Sequence, residues 1–183
     1  MDGFCAQGIV IKRKEFGEAD RILTIYTQEY GKITVLARGI RRLKSKRSGC
    51  LELFCLNKMF VVRGRGFDIL TEVESVRGFT EFRKNLDKVG RIYYICELVD
   101  KLTREEQENR EVFDLMVKSF ELFEKIDGDG VRLDKIISRF EKALLVKLGF
   151  LPKERELGEN AMRNYIESII ESKLKSRKVL STV

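Results

Sequence analysis

A dense cluster of cations lies at residues 37–49, which read ARGIRRLKSKRSG with no acidic residue among them. Its cations are Arg38, Arg41, Arg42, Lys44, Lys46 and Arg47. Cations this close repel one another, so the stretch is either a solvated loop neutralised by counter-ions or the binding place of an anion. Arginine offers paired donors that fit a phosphate group, and lysine offers a compact charge. We interpret the stretch as a loop that contacts phosphates.

A second group of cations, Lys12, Arg13 and Lys14, lies on or just after the first predicted strand. These side chains either extend the same anion-binding surface or protect a strand edge against pairing with another chain, as lysine often does. The sequence leaves both readings open. We include the three residues among the candidate phosphate contacts.

Aromatic residues near predicted turns could stack against the bases of a single strand. Phe16 and Phe67 lie beside glycines that predict turns, so both are plausible platforms. Tyr26 and Phe60 lie within predicted strands, where packing in the core is the better interpretation.

The chain contains no histidine, which removes the commonest general base and excludes a Ser-His-Asp triad. Its cysteines are Cys5, Cys50, Cys55 and Cys96. Four residues separate Cys50 from Cys55, and this spacing does not match a zinc knuckle. We expect the four cysteines to be reduced thiols that are mostly buried. For the protein as a whole we expect no metal, no cofactor and no enzymatic activity.

Carboxylates offer a different chemistry, because a nuclease could hold a metal ion on Asp20, Glu72 and Glu74. We rank this interpretation lowest, since no group that would position a nucleophile is evident. Asp20 and Arg21 are better explained as residues that fix a turn through hydrogen bonds and an ion pair.

The charge of the chain is unevenly distributed. The 183 residues carry a net charge of +7, and charged residues make up 36% of them. Residues 1–80 contain fifteen Lys and Arg against nine Asp and Glu, whereas residues 81–183 contain twenty-one against twenty. Such asymmetry favours a nucleic-acid or membrane partner for the first half. No apolar run approaches the length of a membrane span and no signal peptide is visible, so we expect a cytoplasmic, nucleoid-associated protein without a membrane partner.

The first 80 residues read as five short strands at regular spacing, which predicts a small closed or nearly closed barrel. After Gly78 the apolar period lengthens from two residues to about 3.6, which predicts helices. The expected fold class is α+β, with a barrel domain at 1–79 and a helical domain at 80–183.

Two details of the helical half can be tested against the structure. The first helix is expected to bury one face, formed by Leu86, Val89, Ile92, Tyr93, Cys96 and Val99. The second helix is expected to begin either at a Thr103–Glu106 capping box or at Asn109.

Several segments, in their order, resemble the RecO family of recombination-mediator proteins. The segment GEADRILTIYTQEYGKITVLARGIRRLKSK at 17–46 is similar to the family's N-terminal barrel signature. Three more segments look like its fifth strand and two of its helices: RGFDILTEVE, ICELVDKLT and RFEKALLVKLGFLP. The tail YIESIIESKLKSRKVL is similar to the family's closing helix.

This resemblance implies a five-stranded OB-fold barrel followed by helices. It implies binding of single- and double-stranded DNA, annealing of complementary strands, and work with RecR to load RecA onto strands coated by single-strand-binding protein. Many relatives carry a zinc module after the Leu-Gly-Phe-Leu-Pro segment. Here Pro152 is followed by KERELGEN, so we expect a form that lacks the zinc-binding cysteines.

The resemblance also implies a site on the helical domain for the acidic, apolar C-terminal tail of single-strand-binding protein. Arg132, Arg139 and Lys142 on one predicted helix are our candidates for its cationic rim. The alternatives to the mediator function are an OB-fold scaffold for protein partners and an RNA-binding protein.

Overall fold

The computed structural model describes residues 2–42, 47–126 and 130–174. Its fold is α+β, as predicted, with five strands followed by helices. The strands are β1 (Gly3–Phe16), β2 (Asp20–Thr27), β3 (Gly31–Ala37), β4 (Leu56–Val62) and β5 (Asp68–Arg77). A short 3-10 helix (Phe82–Lys84) precedes α1 (Leu86–Leu102), α2 (Arg110–Lys125), α3 (Gly130–Lys147) and α4 (Glu159–Ile170).

The five strands close into a barrel in the order β1-β2-β3-β5-β4, which confirms the predicted OB-fold. All neighbours are antiparallel except β3 and β5, which run parallel and pair at only two positions, Val35–Asp68 and Leu36–Ile69. Alternate residues of each strand point inward and form the core, which includes Val10, Leu23 and Val35 at 0% exposure. Burial of this apolar surface is the main force that closes the barrel.

The barrel unit also contains a polar segment from the second half of the chain. Contacts divide the chain into one unit of residues 1–79 with 104–113, and another of 80–103 with 114–183. Within the first unit, the amide of Glu106 donates to the carbonyl of Lys32 at 2.8 Å. The hydroxyl of Thr34 donates to the Glu105 carboxylate at 2.9 Å. Residues 104–113 therefore bind along β3 through polar contacts.

The helix boundaries follow local chemistry. The Asn109 side chain accepts a hydrogen bond from the amide of Val112 at 3.1 Å, so Asn109 caps α2. Of the two predicted starts of this helix, the one at Asn109 is confirmed. Thr103 instead ends α1, since its hydroxyl donates to the carbonyl of Val99. Gly149 follows α3 at φ +77°, a conformation that favours glycine.

The predicted buried face of α1 is wrong at two positions. Leu86 is 85% exposed and Tyr93 is 44% exposed, whereas Tyr94 and Ile95 are fully buried. Because α1 packs against the 3-10 helix, α3 and α4, residues outside the predicted face, such as Tyr94 and Ile95, are buried as well. A prediction based on one apolar stripe does not apply to a helix surrounded by neighbours. No helix in the described part of the chain is long and apolar enough to cross a membrane.

Candidate nucleic-acid interface

The β1–β2 turn is tied to the segment that follows β3. Asp20 Oδ1 accepts a hydrogen bond from the amide of Gly39 at 2.7 Å. The carbonyl of Ala19 accepts from the amide of Arg41 at 2.9 Å. Gly39 has φ +64°, which favours glycine and turns the chain back toward Asp20. The start of the cationic stretch is therefore fixed on the barrel. Asp20 was predicted to fix the turn between β1 and β2, whereas its carboxylate holds the loop that follows β3.

Arg47 fixes the other end of the same stretch. Its Nη2 donates to the carbonyl of Arg38 at 2.9 Å, and its Nη1 donates to the carbonyl of Thr71 at 3.1 Å. Direct pairing between β3 and β5 ends after Leu36 and Ile69, so the guanidinium joins the two sides of the barrel where backbone bonds stop. Arg47 thus holds the fold together at this point with most of its donors engaged.

The remaining cations of the stretch divide into two groups. Arg38, Arg41 and Arg42 are exposed, and the Arg41 guanidinium lies 3.4 Å from the Glu15 carboxylate. Lys44 and Lys46 lie outside the described residues. The described cations therefore present positive charge on a loop whose two ends are anchored.

The three cations of the first strand follow a bulge in β1 and alternate between the two sides of the strand. The register shifts between Val10 and Lys12, after which Lys12 pairs with Thr24 and Lys14 with Ile22 on the outer side of the barrel. Arg13 pairs with Leu23, which points into the core. Lys12 and Lys14 therefore share the outer face.

Arg13 instead belongs to an ion cluster at the inward side of the strands. The Glu52 carboxylate accepts hydrogen bonds from both Arg13 and Arg21, the latter at 3.2 Å. Arg21 pairs with Ala37 in register, and Ala37 is part of the core. One carboxylate thus pairs with two guanidinium groups where the barrel ends, and the ion pair of Arg21 is made with Glu52 rather than within the turn that was predicted.

The structure brings together two of the aromatic candidates. The rings of Phe16 and Phe67 lie 5.8 Å apart between centroids, at an interplanar angle of 70°. The two side chains are 44% and 40% exposed. Tyr26 is fully buried, as predicted, and burial raises its pKa to about 12. Phe60 was also expected to pack in the core, and this prediction is wrong, because the side chain is half-buried on the outer side of β4.

The other reactive groups are dispersed. Among residues 2–42, 47–126 and 130–174, no group of three or more Cys, Asp or Glu side chains is arranged to hold a metal ion. Glu72 and Glu74 line a groove of about 400 Å³ with Cys5 and Lys58, and Asp20 is engaged elsewhere with Gly39. All four cysteines lie within the described residues and none forms a disulfide: Cys55 and Cys96 are buried, Cys50 is half-buried and Cys5 is exposed.

A stripe of cations lies along α3 in the helical unit. Arg132, Lys135, Arg139 and Lys142 follow one another at steps of three and four residues, which places them on one side of the helix. Arg132 and Arg139 are exposed, and Lys142 is paired with Glu156. The sequence predicted three of these residues, and Lys135 could have been found from the same spacing.

Comparisons with known proteins match most of the chain. Residues 1–79 match the family model described as Recombination protein O N terminal, and residues 83–156 match Recombination protein O C terminal. A DNA repair protein RecO from Halalkalibacterium halodurans is 32% identical over 148 residues, which cover 81% of this chain and 57% of the relative. The protein of that name from Roseiflexus is 35% identical over 147 residues, covering 80% and 50%. The one from Trichodesmium erythraeum is 38% identical over 128 residues, covering 70% and 44%. The chain spans about half the length of these curated relatives.

Proposed function

The chain belongs to the RecO family, and from this premise and the cationic face of its barrel we propose that it is a DNA-binding recombination mediator in DNA repair. It binds single- and double-stranded DNA and anneals complementary strands. With RecR as a partner, it helps to load RecA onto strands coated by single-strand-binding protein.

The observation that carries this proposal is the anchored cationic loop beside an outer face with further cations. Arg38, Arg41 and Arg42 are exposed on a loop tied to the barrel, and Lys12 and Lys14 point outward from β1. A cationic surface next to the strands of an OB-fold suits a phosphate backbone, because its contacts are made with phosphates and do not depend on the base sequence. Proteins that bind any sequence in this way can accept both partners of a complementary pair.

Annealing follows from charge neutralisation. Two single strands repel each other through their phosphates, and a cationic surface that binds both lowers this repulsion and raises their local concentration. Base pairing then proceeds between the strands without covalent chemistry on the protein. The residues that we assign to this task are Arg38, Arg41, Arg42, Lys44, Lys46, Lys12 and Lys14, while Arg47 and Arg13 position the surface through the contacts described above.

The cationic stripe of α3 is a separate candidate site for a protein partner. An acidic, apolar peptide such as the C-terminal tail of single-strand-binding protein needs cations beside apolar surface. Arg132, Arg139 and Lys142 would supply the cations, and Val131, which is 64% exposed, lies next to Arg132 on the same helix. Substitution of Arg139 by Glu is expected to weaken binding of a labelled tail peptide and to leave DNA binding unchanged.

The deciding experiment is fluorescence anisotropy of a labelled single-stranded oligonucleotide at several salt concentrations. Each phosphate contact on a single strand contributes about −0.7 to the slope of log affinity against log salt, so a few contacts predict a slope of about −2 to −4. Salt-sensitive binding followed by faster annealing of complementary oligonucleotides supports the proposal. Absence of binding at low salt would favour the protein scaffold, and strong preference for RNA of equal sequence would favour the RNA-binding alternative.

A further inference from the structure

Phe16 and Phe67 form a pair of exposed aromatic rings on the barrel unit, called the aromatic pair below. Phe16 is the last residue of β1, and Phe67 immediately precedes β5. The rings meet edge to face, yet 44% of one side chain and 40% of the other remain exposed to solvent. Two adjacent aromatic rings with this much exposure leave apolar surface that no described residue covers, and such surface commonly marks a binding place.

Both rings are presented by tight turns. Gly17 follows Phe16 at φ +57°, which favours glycine. A Cβ atom on Gly64 would lie 2.1 Å from the Phe67 carbonyl oxygen, so the turn before β5 requires glycine there. The amide of Gly64 also donates to the Asp68 carboxylate at 3.1 Å. The turns that carry the rings are held by these contacts. The protein therefore loses little conformational entropy when a flat ligand binds to the rings.

The strand and turns that carry the aromatic pair also carry cations, interspersed with the acidic residues Glu15 and Glu18. Lys14 precedes Phe16 by two residues and therefore lies on the same side of β1. Arg65 is exposed in the turn that carries Phe67. Arg41 is joined to the Phe16 turn by its hydrogen bond to Ala19. An apolar platform with cations on the same turns suits a planar base that is attached to phosphates on either side.

We propose that the aromatic pair is a stacking site for an unpaired base of a DNA strand whose phosphates lie on the neighbouring cations. This inference rests on the proposed function. In a duplex the faces of each base are covered by adjacent base pairs, so the site acts on single strands alone. It gives the protein a way to distinguish unpaired from paired DNA that phosphate contacts by themselves do not provide.

The test compares three labelled probes of equal length: a single-stranded oligonucleotide, a single strand with abasic sites throughout, and a duplex. Phe16→Ala combined with Phe67→Ala should lower affinity for the first probe roughly five- to a hundredfold, by analogy with other stacking sites. Affinity for the abasic strand and the duplex should stay within about twofold. Phe150→Ala is the matched control, because it removes a phenylalanine ring that is 38% exposed on the helical unit.

A second variant gives a readout that does not depend on affinity. The chain has no tryptophan, so Phe67→Trp places a single indole reporter at the site. A stacked base should quench and shift its emission when the ordinary strand binds, whereas the abasic strand at saturation should not.

The outcomes separate the two levels of inference. If the parent protein binds the single strand and the double variant binds it equally well, the stacking site is overturned and the proposed function stands. An equal loss on all three probes would also overturn the site, because it would indicate a structural or purely electrostatic role. If the parent protein binds no DNA, the proposed function fails, and the stacking site fails with it.

Discussion

Asp20 and Gly39 are joined by a hydrogen bond of 2.7 Å between the carboxylate oxygen Oδ1 and the backbone amide, across 19 residues of sequence. The bond ties the β1–β2 turn to the first residues of the cationic loop. An acidic side chain therefore holds in place a loop that is proposed to bind an anion.

The effect of Asp20→Ala on DNA affinity shows whether Asp20 acts by positioning the loop or only through its charge. Removal of a negative charge should strengthen DNA binding if net charge alone matters. We expect the opposite, a several-fold weaker affinity, since the loop loses its anchor, together with a stability loss of roughly 1–2 kcal/mol. Asp20→Asn keeps an acceptor oxygen and should retain most of the binding. Anisotropy titration and urea denaturation measure the two effects, and tighter binding by Asp20→Ala would contradict the positioning role.

Two arginines of the cationic stretch should respond differently to substitution. Arg42→Gln removes an exposed charge and is expected to weaken DNA binding with unchanged stability. The slope of log affinity against log salt should become shallower by about 0.7. Arg47→Gln removes donors from the carbonyls of Arg38 and Thr71, and should cost roughly 1–2 kcal/mol of unfolding free energy.

Thermal denaturation and salt titration of both variants, with the parent protein beside them, give the comparison. Arg47→Lys is the informative control, because it keeps the charge but cannot reproduce the paired geometry. If Arg47→Lys were as stable as the parent protein, the assignment of Arg47 to joining β3 and β5 would be wrong.

Tyr94 donates a 2.5 Å hydrogen bond to the Glu141 carboxylate, with both side chains buried between α1 and α3. Tyr94→Phe leaves a buried carboxylate with one partner fewer, so we expect the free energy of unfolding to fall by about 1–3 kcal/mol. Tyr30→Phe deletes a hydroxyl from a half-buried tyrosine and should change it by less than about 0.5 kcal/mol. Urea denaturation followed by far-UV circular dichroism measures both, and equal losses would refute the special role of the Tyr94 hydroxyl.

The cysteines should differ in reactivity toward an alkylating reagent. Burial, and secondarily the nearby Asp100 carboxylate, raise the pKa of the Cys96 thiol, so little reactive thiolate forms at neutral pH. Cys5 is exposed on β1. Iodoacetamide under native conditions should label Cys5 first and Cys96 only after unfolding, as read by peptide mass spectrometry. Labelling of Cys96 at the rate of Cys5 would show that α1 is more open than described.

The barrel could be predicted because its strands alternate regularly between apolar and polar residues. In β2, Leu23 and Ile25 point to the core, while Ile22 and Thr24 on the other side of the strand are only half-buried. The position of Arg13 could not be predicted. The bulge between Val10 and Lys12 reverses the sides of the following residues, and nothing in the composition of β1 marks it.

The helical half shows a second limit of sequence patterns. Leu86 and Tyr93 fit the apolar period of α1 and yet are exposed, whereas Tyr94 and Ile95 are buried, since the sides of α1 that are covered depend on which elements pack against it. The pairing of Phe16 with Phe67 is similarly tertiary, since 50 residues separate them and the barrel brings their turns together.

The return of residues 104–113 to β3 has a consequence for how the protein can be divided. The chain leaves the barrel unit after Phe79, forms α1, comes back at Arg104 and leaves again after Phe113. A fragment ending at residue 79 would lack the amide of Glu106 and would expose Gly31, where a Cβ atom would come within 1.9 Å of the Gln107 carbonyl oxygen. The contacts of residues 104–113 with β3 therefore complete the barrel unit. During synthesis these contacts can form only after the ribosome has released α1, which lies between Phe79 and Arg104 in the sequence.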